Sequence, residues 1–147
     1  MTTETDTTIR LTRIINASPS DVFRAWTEPS QMRKWAAPDG IEVQGTEVDL
    51  TVGGKYLISM RSPDGAEYNA YGVYREVSPP AKLVYTWRWK EEAHDCGETL
   101  VTVEFNDMEG STELVLTHDL FPALEAKTDH EQGWTSCLSR FTALFAN

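Results

Sequence analysis

The feature that most constrains the fold is a series of β-type segments that ends in one long helical segment. Residues 8–15 are β-branched, apolar and partly alternating, which predicts a first strand. Six more strands follow, and the links between them carry turn residues such as Gly53-Gly54 and Pro63-Asp64-Gly65. Strands joined by hairpin-length links indicate an antiparallel meander. The later strands are predicted at residues 42–50, 55–61, 67–77, 82–90, 98–106 and 111–118.

Two short helices are predicted directly after the first strand. Ser18 can cap a helix N-terminus, Pro19 suits the first helical position, and Asp21 lies where the helix dipole favours an anion. Pro29 ends this helix and opens a second short helix that extends to Trp35. The predicted order is therefore one strand, two short helices and six strands.

A long helix is predicted at the C-terminus. Thr128 and Glu131 fit the S/T-x-x-E capping box, so the helix is expected to start near residue 129 and to continue to 146. Its apolar side chains form one stripe, which consists of Trp134, Cys137, Leu138, Phe141, Leu144 and Phe145. No other segment is long enough to cover seven strands. The predicted fold is therefore α+β, a curved seven-stranded antiparallel sheet wrapped around the C-terminal helix, with a space between two surfaces of different curvature.

Length and charge limit the classes of partner. The 147 residues suit one domain, predicted at residues 8–147, with a flexible N-terminal tail at residues 1–7. The net charge of −10 disfavours nucleic acid and adsorption to anionic membranes. No apolar run reaches the roughly 20 residues that span a bilayer, and the Thr-rich start does not resemble a signal peptide. We therefore expect a soluble cytoplasmic protein, monomeric or homodimeric, with Cys96 and Cys137 as free thiols.

Several stretches, taken in order, carry a resemblance to a known family. They are residues 17–27 (ASPSDVFRAWT), Lys34-Trp35 with Pro38, 52–56 (VGGKY), Met60 with 63–65 (PDG), Gly72, 76–80 (EVSPP), 83–87 (LVYTW), 101–105 (VTVEF), 116–118 (LTH), and His130 with Gly133-Trp134. With this ordered set, the chain resembles the SRPBCC (START-like, helix-grip) superfamily from about residue 8 to 146. Within it, the chain is similar to the family named after activators of the heat-shock protein 90 ATPase, in their C-terminal domain.

The resemblance implies the helix-grip fold and a shared cavity, but it does not imply one function. The superfamily includes lipid and hormone carriers, polyketide cyclases and eukaryotic co-chaperones. It supplies no universal catalytic residue that could be transferred to this chain. Function therefore has to be argued from the residues of the site itself.

Strand alternation predicts which side chains face the helix. In residues 82–90 every second residue from Leu83 to Trp89 is bulky and apolar, so this set is expected to face inward. In residues 67–77 both alternating sets contain apolar residues, and the sequence does not decide which set faces inward. The predicted pocket residues are Trp35, Ile58, Met60, Tyr85, Trp87, Trp89, Leu116, His118, Trp134, Leu138 and Phe141. Such a pocket suits a flat or greasy ligand. The alternative is that these side chains meet and fill the core.

His118 is the candidate residue for chemistry, because it ends a strand in phase with apolar neighbours and a histidine titrates near neutral pH. It also fits a hydrogen-bonded core residue near His130, and this role is favoured because no nucleophile or oxyanion device adjoins it. His94-Asp95-Cys96 offers metal-ligand side chains, but three adjacent residues cannot easily turn to one ion. We interpret this segment as a mobile acidic loop, and we expect no metal and no cofactor.

Three functions remain open from the sequence. The first is binding of a small hydrophobic or aromatic molecule, such as a lipid or a polyketide-like compound, between sheet and helix. The second is a protein-interaction module, such as a co-chaperone or a stress-response partner. The third is a cyclase- or hydrolase-type enzyme that uses the same pocket with His118 as its base. A non-enzymatic function is favoured.

Overall fold

A computed structural model describes residues 7–146 and has the predicted order of elements. The elements are β1 (Ile9–Ile15), α1 (Pro19–Thr27), α2 (Pro29–Met32), β2 (Glu42–Val48), β3 (Lys55–Arg61), β4 (Glu67–Ser78), β5 (Lys82–Trp89), β6 (Thr99–Asp107), β7 (Thr112–Asp119) and α3 (Leu124–Ala143). In this part of the chain, seven strands form one antiparallel sheet. This confirms the predicted α+β helix-grip architecture. The predicted tail at residues 1–7 lies, except for Thr7, outside the described residues.

The strand order explains how the helices reach the sheet. From β2 to β7 each strand pairs with the next strand in sequence, and β1 pairs with β7, which gives the order β1-β7-β6-β5-β4-β3-β2. The two edge strands, β1 and β2, are consecutive in sequence. Helices α1 and α2 therefore carry the chain from one edge of the sheet to the other.

Helix α1 begins where the sequence predicts. The Ser18 hydroxyl accepts a hydrogen bond from the backbone N–H of Asp21 at 3.3 Å, and Pro19 occupies the first turn. Helix α2 is shorter than predicted, because it ends at Met32 and Trp35 lies in the turn that follows.

Helix α3 starts five residues earlier than the capping box predicts. Ala123 occupies the N-cap position without a side-chain hydrogen bond, and Thr128 lies inside the helix. The carboxylate of Glu131, which the capping box requires, instead forms an ion pair with Lys127 at 3.3 Å, one turn back along the helix. The prediction of the helix start was wrong, because the helix already begins at Leu124 and Thr128 is therefore not at an N-cap position.

The apolar stripe of α3 is shorter than predicted. Its buried members are Trp134, Cys137, Leu138 and Phe141. The helix ends at Ala143 instead of residue 146, so Leu144 and Phe145 pack half-buried after its last residue.

A β-bulge decides the inward face of β4, which the sequence left open. Tyr74 lies opposite Tyr85 and both are buried, whereas Val77 lies opposite the buried Leu83. Two inward residues three positions apart require a break in alternation, and the register shifts between Tyr74 and Glu76. Both phases of β4 therefore carry apolar residues, and alternation alone could not choose between them.

Gly72 marks a very close approach between β4 and β5. A Cβ atom at Gly72 would lie 2.0 Å from the carbonyl oxygen of Thr86, so only glycine fits there. The same carbonyl accepts a hydrogen bond from the Tyr56 hydroxyl on β3, and the Thr86 hydroxyl accepts one from the N–H of Val73. These contacts hold three neighbouring strands together.

The core lies between the inner face of the sheet and the helices.

Cys96 and Cys137 are both free, as predicted. Among the helices of residues 7–146, none has the length and apolar character needed to cross a membrane.

Candidate ligand-binding site

A cavity of about 510 Å³ lies between the sheet and α3. Its wall is aromatic, because all five tryptophans of the chain and four of its five tyrosines line it. They are Trp26, Trp35, Trp87, Trp89, Trp134, Tyr56, Tyr68, Tyr74 and Tyr85. Small-molecule sites are typically concave spaces of about 300–1,000 Å³ with apolar walls and few polar groups. The cavity has the size and the lining of such a site.

The inner part of the wall is a packed cluster of rings around Trp26. The ring centroid of Trp26 lies 4.3 Å from that of Trp35 and 5.1 Å from that of Phe141. Trp134 stacks on it at 6.0 Å, with 12° between the ring planes. Rings at such distances attract one another beyond the effect of area burial. This part of the wall is therefore held in shape by its own packing.

The mouth of the cavity lies between the β5–β6 loop and the start of α3. His94 and Cys96 line it from the loop, and Glu125 and Asp129 line it from the helix. All four side chains are exposed or half-buried. Tyr68 on β4 packs against His94, with ring centroids 4.9 Å apart. The loop that the sequence identifies as acidic thus forms one side of the entrance.

His118 lies behind the cavity wall in a chain of directed hydrogen bonds. Trp134 Nε1–H donates to His118 Nδ1 at 2.9 Å, and the Thr99 hydroxyl donates to the Trp87 carbonyl at 3.1 Å. Thr99 Oγ1 therefore accepts the proton on His118 Nε2, which is 2.7 Å away. This arrangement requires a neutral imidazole. Burial, with His130 nearby, lowers the pKa of His118 well below its ordinary value.

A second tryptophan–histidine pair connects the two sides of the cavity. Trp89 Nε1–H on β5 donates to His130 Nε2 on α3 at 2.9 Å, and His130 Nδ1–H donates to the Ala126 carbonyl at 2.8 Å. This ring is neutral as well, and burial lowers the pKa of His130. The imidazole centroids of His118 and His130 are 5.6 Å apart, so a charge on one ring disfavours a charge on the other.

Trp87 differs from the other indoles of the wall. Trp26 donates to the Tyr85 hydroxyl at 3.3 Å, and Trp35 donates to the Ala25 carbonyl at 2.9 Å. The Nε1–H of Trp87 is buried and has no acceptor among the described residues. A buried donor without a partner costs about 1–3 kcal/mol. A bound water or the acceptor atom of a ligand would remove that cost.

The structure brings together most of the side chains that the sequence assigns to a pocket. Seven of the eleven line the cavity, namely Trp35, Ile58, Met60, Tyr85, Trp87, Trp89 and Trp134. The other four, Leu116, His118, Leu138 and Phe141, are fully buried and do not line it. The physical reason is that α3 packs close to the β1 edge of the sheet, so the inner face is filled there and stays open under β3, β4 and β5.

Other wall residues were missed by the sequence analysis. Trp26 lies on the apolar face of α1, and its large ring could have suggested a place in the wall. Tyr74 could not be assigned to the wall, because the sequence does not decide which face of β4 points inward. No local pattern indicates that Pro122 and Ala126 reach the mouth, because they depend on where α3 starts.

The acidic loop holds its central carboxylate, Asp95, through bonds to other groups of the protein. Among residues 7–146, no three His, Cys, Asp or Glu side chains are arranged to hold a metal ion. Asp95 instead accepts hydrogen bonds from Arg88 at 2.6 and 3.2 Å and from the N–H of Gly97 at 3.0 Å. The Arg88 guanidinium holds the pKa of the Asp95 carboxyl below its usual value.

The chain has relatives among known families and solved structures. A family model described as "Activator of Hsp90 ATPase homolog 1-like protein" matches residues 16–146. No curated protein matches the chain. A crystal structure from Chromobacterium violaceum has a TM-score of 0.85 at 26% identity, and covers 95% of this chain and 97% of its own. An AHSA1 protein from Silicibacter pomeroyi has a TM-score of 0.81 at 27% identity, and the match covers 93% of this chain and 96% of that one. An AHSA1-like protein from Aeromonas hydrophila has a TM-score of 0.72 at 23% identity, and the match covers 92% of this chain and 90% of that one.

Proposed function

The chain belongs to the family of activator of Hsp90 ATPase homolog 1-like proteins, and from that premise we propose that it binds a small hydrophobic or aromatic molecule between the sheet and α3. The observation that carries the proposal is the cavity of about 510 Å³ with its nine aromatic side chains. Burial of apolar ligand surface contributes about 25 cal/mol per Å², so a molecule that fills this space gains most of its affinity without polar contacts.

The state of the wall also supports binding. The rings around Trp26 pack against one another, and four of the five indole N–H groups have acceptors inside the protein. A wall that keeps its shape without a ligand loses little conformational freedom when a ligand binds. Because these four indole donors are satisfied inside the protein, an apolar ligand that covers them displaces few strong interactions with water.

The same contacts count against an enzyme that uses His118 as its base. A general base needs a free lone pair within reach of the substrate. The Nδ1 lone pair of His118 accepts the bond from Trp134, its Nε2 carries a proton held by Thr99, and the ring does not line the cavity. Protein-partner binding, a stress-response role, a cytoplasmic location and the oligomeric state stay predictions from the sequence.

The proposal is tested by native mass spectrometry and by titration with an uncharged fluorescent probe, N-phenyl-1-naphthylamine. We expect protein purified from its own host to retain extra mass. We expect the probe to quench tryptophan emission, because it would contact several of the five indoles, and to raise the melting temperature.

Two matched variants place the probe in the cavity. Ala126→Phe adds a ring to the cavity wall on α3, and Ala143→Phe makes the same change at an exposed position of the same helix. We expect the first variant to weaken probe binding at least about tenfold, and the second to bind like the wild type. Equal binding by the two variants would contradict the proposal, and so would wild-type protein that binds neither the probe nor any retained molecule.

A further inference from the structure

We infer that the preferred ligand of this cavity is a hydrophobic organic cation, with an amine or quaternary ammonium group attached to an apolar or aromatic body. This inference rests on the proposed function and narrows it to one chemical class. Two independent features carry it: the charges at the mouth, and the aromatic wall that continues inward from them.

The charged side chains that line the cavity are all acidic. Asp95, Glu125 and Asp129 line the mouth, and the lining residues include no lysine and no arginine. Asp95 is paired with Arg88 at 2.6 Å, which offsets its charge. Glu125 and Asp129 form no ion pair with any described residue, so two uncompensated carboxylates remain beside the entrance.

The dipole of α3 opposes these carboxylates but does not cancel them. A helix N-terminus carries the equivalent of about half a positive charge, and Glu125 and Asp129 lie in the first two turns of α3. Two full negative charges exceed this partial charge. The potential at the mouth is therefore negative, and it attracts cations and repels anions.

The wall behind the mouth suits the cationic group of a ligand. Aromatic faces attract ammonium groups through the ring quadrupole, most strongly for tryptophan, and recognition of quaternary ammonium ligands by aromatic cages works in this way. Trp89 and Tyr68 line the cavity near the mouth, with ring centroids 6.4 Å apart. Such a contact contributes roughly two- to thirtyfold in affinity.

An anionic ligand would find no matching group. A buried carboxylate needs a cation or several donors to offset its lost hydration. The donors that line the cavity, such as the N–H of Trp87 and the tyrosine hydroxyls, are neutral, and neutral donors do not replace the salt bridge that a lysine or arginine would supply. The expected order of affinity is therefore cation, then neutral molecule, then carboxylate.

Three ligands of similar shape test this order with the full-length protein. They are (2-naphthylmethyl)trimethylammonium, its uncharged isostere 2-neopentylnaphthalene, and 2-naphthylacetate. Dissociation constants are measured by competition with the uncharged probe at physiological salt. We expect the cation to bind about tenfold tighter than the isostere, and the carboxylate to bind about tenfold more weakly than the isostere.

A matched pair of double variants assigns the preference to the mouth. Glu125→Gln with Asp129→Asn removes the two unpaired carboxylates, and Glu28→Gln with Glu47→Gln changes the net charge equally at exposed positions away from the cavity. We expect the first pair to weaken binding of the cation about three- to tenfold and to leave the isostere unchanged. We expect the second pair to change neither.

The outcomes separate this inference from the proposed function. If the isostere or the carboxylate binds as tightly as the cation, the inference is wrong and the proposed function stands. The inference is also wrong if the mouth variants weaken cation and isostere by the same factor. If none of the three ligands and no uncharged probe binds, both the inference and the proposed function are wrong.

Discussion

Trp134 donates the hydrogen of its indole Nε1 to Nδ1 of His118 over 2.9 Å, and this bond joins the cavity wall on α3 to the buried layer on β7. On its other side, His118 is bonded to Thr99. Both ring nitrogens are thus satisfied without a charge, which explains how a histidine with no exposed surface is accommodated in an apolar core. The neutral state of His118 is therefore part of the fold.

The first prediction concerns this bond. Trp134→Phe keeps an aromatic ring but removes the donor, so Nδ1 of His118 becomes a buried acceptor without a partner. We expect the free energy of unfolding to fall by about 1–3 kcal/mol from this loss alone, with a further loss from the smaller ring. Urea denaturation measures the change. A loss below about 0.5 kcal/mol would show that the bond contributes little to stability.

The second prediction concerns pH. As the pH falls through about 6.5, the unfolded chain protonates its histidines, whereas burial keeps the folded pKa values of His118 and His130 lower. The unfolded state then binds more protons, so stability falls with falling pH. The expected slope between pH 7 and 5 is up to about 1.4 kcal/mol per pH unit for each histidine. Denaturation at a series of pH values measures it.

A variant assigns that slope to the two tryptophan–histidine pairs. His130→Gln removes one of the two titrating rings, so we expect the slope between pH 7 and 5 to become smaller but to persist, because His118 remains buried. Unpaired carboxylates titrate near pH 4 in the unfolded chain and so contribute mainly below this window. An unchanged slope in this variant would contradict the assignment.

The third prediction compares two glycines of the sheet. In Gly72→Ala the new Cβ would meet the Thr86 carbonyl at 2.0 Å, and we expect a loss of at least about 3 kcal/mol or a failure to fold. In Gly45→Ala the new Cβ has no atom within 4 Å. We expect this control to be neutral or to gain up to about 1 kcal/mol. Urea midpoints of the two variants should therefore differ clearly, and similar midpoints would contradict the close approach.

The fourth prediction concerns Gly133 inside α3. A Cβ there would meet only Pro38 Cγ, at 3.8 Å, which is an ordinary contact. Alanine is favoured over glycine in a helix by about 1 kcal/mol, so Gly133→Ala should raise the free energy of unfolding by that amount. The added methyl group also enters the lining of the cavity. Thermal melting checks the gain. A destabilised variant would contradict the prediction, because it would mean that the new methyl group clashes with a neighbour such as Pro38.

Local patterns predicted the parts of the fold that depend on local chemistry. The Ser18 cap and the apolar phase of β5 could be identified because each involves residues only a few positions apart. The inward face of β4 could not be identified, because it changes at a bulge that exists only through pairing with β5. The place of His118 depends on where α3 lies across the sheet, and strand phase reports only the face of a strand.

The pairing of β1 with β7 has a consequence for synthesis of the chain. Ile9 on β1 lies opposite His118 on β7, so the first of the seven described strands to be synthesised pairs with the last. At about 5–20 residues per second, the roughly one hundred intervening residues take about 5–20 s to translate. During this interval Ile9 and Ile15, which are fully buried in the folded protein, have no sheet to cover them. The nascent chain is therefore most exposed to aggregation before β7 emerges.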